Sequence, residues 1–303
     1  MTKYLSGWTL DKHLTCDDFM ECGPIKVSSN LALFDPDSSC VLRNLQQNEV
    51  VGSVNLSRHK VVDCGGGKKY FLRLSRSVEK HQGYLENAVP DMFNNVLAYK
   101  LSLLYDPPLP VNTQCFVVTS DMVAGVLSPL LSPRHVGQLD EPEFERISNR
   151  DLLPHLFVFE QLLMNIDDRE EHLRLKEEAG GFSVWMVDHG RTLQAWRNDL
   201  EPSNIENTPK MRQPSSMYNP YRVNSKTGFD EPIRQTSNLP QTEIRGKIRE
   251  TLGELEACIE VDEVKRFVNA AQTYTEMAEL ILRGHQKHIA EIVNDKLTRL
   301  PQR

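Results

Sequence analysis

Residues 165–175 read NIDDREEHLRL, and residues 187–190 read VDHG. The first stretch gathers acidic side chains and a histidine, and it follows DLLPHLFVFEQLLM, residues 151–164, whose apolar residues recur at helical spacing. This spacing predicts a buried helix, with Asp151 as its N-cap and Pro154 in its first turn. The acidic stretch is therefore expected to be a loop at the C-terminal end of that helix.

A short hairpin is predicted to follow this loop. HLRL and FSVWMVD are typical of strands, and the polar KEEAGG between them is typical of a turn. Folding back would bring Asp167 and His172, near the start of the hairpin, close to Asp188 at its end. Carboxylates gathered in this way suit a site for Mg²⁺ and phosphate. The alternative is a solvated charged turn, since acidic side chains mostly lie at protein surfaces.

Upstream, an antiparallel hairpin and a helix are predicted. Residues 50–63, VVGSVNLSRHKVVD, and residues 68–75, KKYFLRLS, flank a run of three glycines that permits a chain reversal. The backbone N–H groups of Gly52 and Ser53 are candidates to bind the phosphates of a nucleotide. Residues 91–108 carry apolar side chains at helical spacing and end in two prolines. CFVVT and MVAGVLSPLL predict further strands.

The last third of the chain contains a proline-rich segment followed by a segment with helical periodicity. Residues 198–240 hold six prolines and little apolar periodicity, so a long irregular segment is predicted. From residue 242 onward, apolar stripes at helical spacing predict a series of helices. His285 and His288, on the final helices, are expected to be solvated.

Composition and charge limit the class of protein. The 303-residue chain is 39% hydrophobic, which suffices for a buried core. Its net charge of −7 argues against a surface for nucleic acid. There is no apolar leader and no apolar run of about eighteen residues, so a cytoplasmic protein without a membrane span is expected. Six scattered cysteines predict reduced thiols rather than a disulfide framework or a zinc site.

From about residue 50 to residue 193 the chain resembles the HipA-like kinase domain, a branch of the protein-kinase-like fold. NIDDREEHL matches the family loop N-x-D-R-H-x-x-N-L, and VDHG matches its I-D-H-G motif. VGSVN matches its glycine-serine loop, and YFLRL matches the strand that ends in a phosphate-contacting lysine. The resemblance implies an α+β, two-lobed fold with a small N-terminal antiparallel sheet lobe and a larger, mostly helical C-terminal lobe. The expected boundaries are an extension over residues 1–49, an N-lobe over 50–127, and a C-lobe over 128–303 that contains the irregular segment.

The resemblance also implies ATP and Mg²⁺ as cofactors and assigns roles to particular residues. Asp167 would orient the acceptor hydroxyl and Asp188 would hold the metal, while His172 stands at the position of a second metal ligand. Arg73 stands at the position of the phosphate-contacting lysine. Lys69, on the same face of that strand, is a further candidate for contact with phosphate.

Several positions depart from the family pattern. Arg73 keeps the positive charge of a lysine but is forked and bulkier, and Asn95 stands where a glutamate would pair with it. His172 replaces an asparagine, and imidazole is a poorer ligand for Mg²⁺ than a carbonyl oxygen. Two functions stay open: a phosphotransferase that acts on a protein or small-molecule hydroxyl, and a pseudokinase that serves as an interaction or regulatory scaffold. The expected partners are a nucleotide and a protein substrate or binding protein, with neither membrane nor nucleic acid.

Overall fold

The chain folds into two compact units in the computed structural model. The first comprises Met1–Val96, Asn112–Leu130 and Glu250–Ala271, and the second comprises Leu97–Val111, Leu131–Arg249 and Gln272–Arg303. The structure describes residues 25–27, 41–46, 49, 58–63, 69–75, 88–119, 124–165, 170–193, 228–256, 258 and 262–299. A sheet dominates the first unit, and helices with a small hairpin make up the second. The expected α+β class is confirmed.

A six-stranded sheet forms the first unit, in the spatial order β1-β5-β6-β4-β3-β2. Its strands are β1 (Ile25–Val27), β2 (Val41–Asn44), β3 (His59–Asp63), β4 (Lys69–Leu74), β5 (Cys115–Thr119) and β6 (Ala124–Pro129). All neighbours are antiparallel except β1 and β5, which are parallel. The predicted β3–β4 hairpin is confirmed. Because β1 and β2 precede residue 50, the sheet includes part of the expected extension, and the lobe boundaries stay predictions.

Strand β4 shows the alternation that its sequence predicts. Tyr70, Leu72 and Leu74 are buried, with exposed fractions of 6%, 0% and 0%, whereas the residues between them are partly exposed. Aromatic and branched side chains favour such a half-buried pleated surface. Lys69 and Arg73 therefore lie on the same, partly exposed face of the strand.

Seven helices and a second sheet are assigned in the described part of the chain. The helices are α1 (Ala88–Ser102), α2 (Glu141–Phe144), α3 (Leu153–Leu162), α4 (Asp230–Ser237), α5 (Gln241–Glu256), α6 (Asp262–Lys287) and α7 (Ile289–Arg299). The hairpin pairs β7 (Leu173–Glu178) with β8 (Gly181–Met186), as predicted. None of the described helices is long and apolar enough to cross a membrane.

Several local expectations are corrected. Asp151 lies inside a 3-10 turn, and the N-cap of α3 is Leu152, which makes no side-chain cap. Pro154 does lie in the first turn of α3. Helix α4 lies within the segment that was expected to be irregular, so that prediction is wrong for residues 230–237. The buried side chain of His285, 6% exposed, contradicts its expected solvation.

The two cysteines within the described residues differ in their chemical state. Cys115 is disulfide-bonded, so the expectation that the thiols are reduced is wrong for this residue. Cys258 is a free thiol, and burial raises its pKa to about 12. A thiol with so high a pKa carries almost no thiolate at neutral pH and is chemically inert.

Replacement of glycine by alanine is expected to have opposite effects on stability at Gly181 and at Gly253. A Cβ at Gly181 would lie 2.3 Å from the backbone oxygen of Arg146, which also accepts a hydrogen bond from Phe182 N at 3.2 Å. We expect Gly181→Ala to lower the free energy of unfolding by about 1–3 kcal/mol, because backbone must move to admit the methyl group. Gly253→Ala, on α5, meets nothing within 4 Å and should stabilise by about 0.5–1 kcal/mol. Urea denaturation of both variants measures the difference, and effects of equal sign would contradict the assigned contact.

Candidate functional site

The candidate site in the second unit lies where chain segments meet beside the β7–β8 hairpin. We call residues 163–165 and 187–193 together the loop junction. Val187 N donates to His172 O at 2.9 Å, and Leu193 N donates to Leu163 O at 2.8 Å. The segment after β8 is thus bonded both to the turn ahead of β7 and to the end of α3. The predicted catalytic Asp167 and the predicted phosphate-binding Gly52 and Ser53 lie outside the described residues.

The backbone of the loop junction is strained. Met164, Asp188 and Leu193 have φ values of 50°, 62° and 58°, and no other non-glycine residue in the described ranges has a positive φ. Each such residue costs of the order of 1 kcal/mol or more, and aspartate tolerates the conformation better than leucine or methionine. Strain of this kind persists only where surrounding contacts fix it, and it is concentrated at functional sites.

A buried polar pair lies directly behind Asp188. Glu160 Oε1 of α3 is 3.6 Å from His189 Nε2, and these side chains are 2% and 0% exposed. The His189 ring also meets Phe159 edge-on, with centroids 6.3 Å apart. Thr192 donates to His189 O through both N, at 3.1 Å, and Oγ1, at 2.8 Å. These contacts fix the backbone that immediately follows Asp188.

Glu160 was missed by the sequence analysis. The sequence does contain one indication, a single carboxylate inside the apolar run LFVFEQLLM. An acidic residue on a buried helix needs a polar partner, so this carboxylate could have been predicted to form a buried pair. The partner, His189, is distant in sequence, and no periodicity indicates it.

Asp188 is half-buried and lies within electrostatic reach of Arg174. Burial lowers the pKa of the Arg174 guanidinium, and the negative charges of Glu171 and Asp188 oppose that shift. Arg174 Nη1 also donates to Pro133 O at 2.8 Å, which holds the guanidinium in place. A fixed positive charge therefore attracts the Asp188 carboxylate.

The described residues fit Mg²⁺ only in part. Asp188 offers carboxylate oxygens, the ligands that this ion prefers. His172 is only 7% exposed, and its imidazole nitrogen is a poor ligand for so hard an ion. Within the described ranges, no group of three or more His, Cys, Asp or Glu side chains could hold a metal. The carboxylate of Asp188 is thus chemically suited to bind Mg²⁺, whereas the imidazole of His172 is not. The metal-binding roles of both residues stay predictions.

Lys69, in the first unit, belongs to an ion cluster. Its Nζ lies 3.4 Å from Glu49 Oε1 and 3.7 Å from Asp63 Oδ2. Arg43 pairs with the same two carboxylates, at 2.5 and 3.2 Å, and its hydrogen bond lowers the pKa of Glu49 to about 2. Two cations thus face two acids. This arrangement favours a structural role for Lys69 and makes Arg73 the better candidate for contact with phosphate.

Asn95 is engaged within its own helix. Its Nδ2 donates to the backbone oxygen of Asp91, one turn earlier on α1, at 2.7 Å, and the side chain is 3% exposed. The amide carries no charge to pair with Arg73. The ion pair of the family pattern is therefore absent at this position.

Comparisons with known proteins give structural matches only. The search against family models gives no match, and neither does the search of curated proteins. The proinflammatory kinase CtkA of Helicobacter pylori is 9% identical, with 86% of this chain and 97% of that chain covered and a TM-score of 0.49. HipA of Shewanella oneidensis, solved with HipB and operator DNA, is 10% identical, with 89% and 68% covered and a TM-score of 0.35.

The Rio2 kinase of Chaetomium thermophilum, solved as an ADP/Mg²⁺-phosphoaspartate complex, is 14% identical to this chain. The match covers 81% of this chain and 73% of the Rio2 chain, with a TM-score of 0.31. With identities of 9 to 14% and TM-scores of 0.31 to 0.49, these similarities carry no conclusion about activity, substrate or partner.

Proposed function

We propose that the chain is an ATP- and Mg²⁺-dependent phosphotransferase that acts on a hydroxyl group of a protein or small molecule. The observation that carries the proposal is Asp188, held with φ of 62° at the end of a buried strand. A carboxylate kept in a strained conformation by the buried His189 behind it is suited to bind a metal in one fixed position. The matches to the kinase motifs around residues 165 and 187 support the same assignment.

Each residue has a defined part in this proposal. Asp188 would hold Mg²⁺, which supplies charge neutralisation for the transferred phosphoryl group when bound. Asp167 would orient the acceptor hydroxyl, and Arg73 would contact the phosphates. Gly52 and Ser53 would contribute backbone N–H groups to the same phosphates.

A second candidate function is a pseudokinase scaffold that binds nucleotide without transferring phosphate. The observation that favours it is the engagement of Asn95 with Asp91 O, since the family ion pair that orients the phosphate cation is missing. The two functions differ in one measurable respect. A phosphotransferase turns ATP over, and a scaffold does not.

The proposed function is tested by thermal unfolding with ATP and Mg²⁺. A ligand that binds only the native state at a hundredfold excess over Kd stabilises it by about 2.7 kcal/mol. We expect this stabilisation in the native chain and its loss in Asp188→Asn. Asparagine is chosen because it tolerates a positive φ, so the substitution removes charge without adding strain.

The matched control is Glu177→Gln, which neutralises an exposed carboxylate on β7 of the same hairpin. It should respond to ATP and Mg²⁺ as the native chain does. An equal response in all three proteins would show that Asp188 holds no metal. No response in the folded native chain would overturn the proposal. Release of γ-phosphate, measured on the same samples, decides between the enzyme and the scaffold.

A further inference from the structure

The C-terminal end of α3 is closed by a specific pair of hydrogen bonds. Met164 N donates to Gln161 O at 3.2 Å, and Asn165 N donates to Glu160 O at 3.2 Å. Together with the φ of 50° at Met164, these bonds form a Schellman motif, in which the chain turns out of the helix through a left-handed residue. Glycine is the usual residue at that position, because a Cβ disfavours a positive φ. Methionine therefore needs additional contacts to stay in this conformation.

The competing structure is a continuation of α3. Methionine is a good helix former, so Met164 by itself favours right-handed helical geometry. If the helix continued, Asn165 N would donate to Gln161 O, four residues earlier, instead of to Glu160 O. Gln161 O is thus an acceptor in both structures, and its other partners influence which of them forms.

His285, on α6 of the same compact unit, is one of these partners. Its Nδ1 lies 2.8 Å from Gln161 O, and the side chain is 6% exposed. A carbonyl oxygen can only accept, so Nδ1 carries the proton. Burial lowers the pKa of His285, the hydrogen bond to Gln161 O opposes that shift, and His288 adds to it. The ring is therefore neutral at neutral pH and donates through Nδ1.

The donors around Gln161 O oppose the continued helix. A backbone carbonyl oxygen has two lone pairs. Gln161 O accepts from Met164 N and from His285 Nδ1, and Leu163 N also shares its hydrogen with this oxygen. A further bond from Asn165 N, as the continued helix requires, would have to displace one of these donors. The bond from α6 thus favours the exit of the chain at Met164.

We propose that His285 is a positioning residue, whose bond to Gln161 O ends α3 and fixes the direction in which the chain runs from Met164 towards the predicted catalytic Asp167. No sequence motif identifies His285 in this role. The inference rests on the proposed function for the part that Asp167 plays. The effect on the end of the helix requires neither ATP nor metal, so the two can fail separately.

The first measurement is steady-state release of γ-phosphate from ATP in the presence of Mg²⁺. We expect kcat to fall about tenfold or more in His285→Leu, because a misdirected loop no longer orients the acceptor. The KM for ATP should change by less than about twofold, since the contacts of His189 behind Asp188 remain. His285→Asn places an amide nitrogen where Nδ1 lies and should restore kcat. His288→Leu removes a histidine of the same segment that faces the exposed Glu291, and it should behave as the native chain does.

Two further variants separate the exit of the chain from general damage. Met164→Gly in the His285→Leu background should recover kcat, because glycine adopts a positive φ without support from α6. His285→Gln, whose amide nitrogen takes the place of Nε2, removes the same bond with a polar side chain if His285→Leu does not fold.

Hydrogen exchange gives a measurement that does not depend on activity. The amides of Met164 and Asn165 should exchange about fivefold or more faster in His285→Leu than in the native chain. The amide of Leu175 in β7, which donates to Arg134 O at 3.0 Å, should exchange at the native rate in both proteins.

Each outcome has a defined meaning. An unchanged kcat in an active, folded His285→Leu chain would overturn the positioning role and leave the proposed enzyme intact. A lower kcat that neither His285→Asn nor Met164→Gly restores would assign the loss to general damage and also overturn that role. If the native chain releases no phosphate, the proposed enzyme is overturned and hydrogen exchange decides. Faster exchange confined to Met164 and Asn165 would then support the role of His285 at the end of α3, and unchanged exchange would overturn it.

Discussion

Replacing Glu160 with alanine is expected to lower the free energy of unfolding by about 3–5 kcal/mol. The Glu160 side chain is 2% exposed and lies 3.6 Å from the fully buried His189 ring. Its removal leaves the imidazole without its acidic neighbour and opens a cavity beside α3, and both effects destabilise the native state. Urea denaturation followed by far-ultraviolet circular dichroism measures the loss.

Two controls separate charge from packing at this position. Glu160→Gln keeps the volume and can still form a hydrogen bond, so a smaller loss of about 1–3 kcal/mol is expected. Glu177→Ala, on the exposed hairpin, should change stability by no more than about 0.5 kcal/mol. A loss below about 1 kcal/mol in Glu160→Ala would show that the pair does not anchor the loop junction.

The pair also connects stability with the candidate site. Because His189 follows Asp188 directly, loosening its ring removes one of the contacts that maintain the positive φ of Asp188. A folded Glu160→Gln chain should therefore bind ATP and Mg²⁺ more weakly than the native chain.

Local patterns in the sequence predicted the elements whose formation depends on local properties. The alternation in KYFLRL gave the face on which Lys69 and Arg73 lie, and a turn-forming KEEAGG gave the β7–β8 hairpin. Helix α4 could not be predicted in the same way. Its sequence, DEPIRQTS, is short and polar, and its stability comes from tertiary contacts. One of them is the packing of Phe229 against Phe157, with ring centroids 5.4 Å apart.

The same limit applies to the partners of buried and charged residues. The motifs identified Asp188, which follows β8, and Arg73, which lies near the end of β4. They did not indicate that Glu49 engages Lys69, or that Glu160 lies against His189, because these partners are far apart in sequence. His285 was expected at the surface, yet its Nδ1 lies 2.8 Å from Gln161 O of α3, a residue far away in sequence.

Gln286→Glu is the second substitution with a large expected effect. Gln286 Nε2 donates to the backbone oxygens of Thr236, Ser237 and Leu239, at 3.0, 3.1 and 2.7 Å, at the C-terminal end of α4. A carboxylate would place negative charge against three carbonyl oxygens at the negative end of a helix. We expect the free energy of unfolding to fall by about 3–5 kcal/mol at neutral pH. Gln272→Glu makes the same change at an exposed position of α6 and should cost about 0.2–0.5 kcal/mol, since it faces Glu276 one turn away.

The pH dependence of Gln286→Glu distinguishes a charge effect from a packing effect. The introduced carboxyl keeps the hydrogen bond that Gln241 Nε2 donates to one oxygen, but its other oxygen is buried against three carbonyl oxygens. Its pKa in the folded state therefore lies above the value of about 4.3 in the unfolded chain. A group with a raised folded pKa contributes its full share of stability below the unfolded value and loses it as the pH rises through the folded value. The deficit of the variant should thus be largest at neutral pH and shrink as the pH falls towards about 4. A deficit that is independent of pH would assign the loss to packing, and Gln286 would then not stabilise α4 through its donated hydrogen bonds.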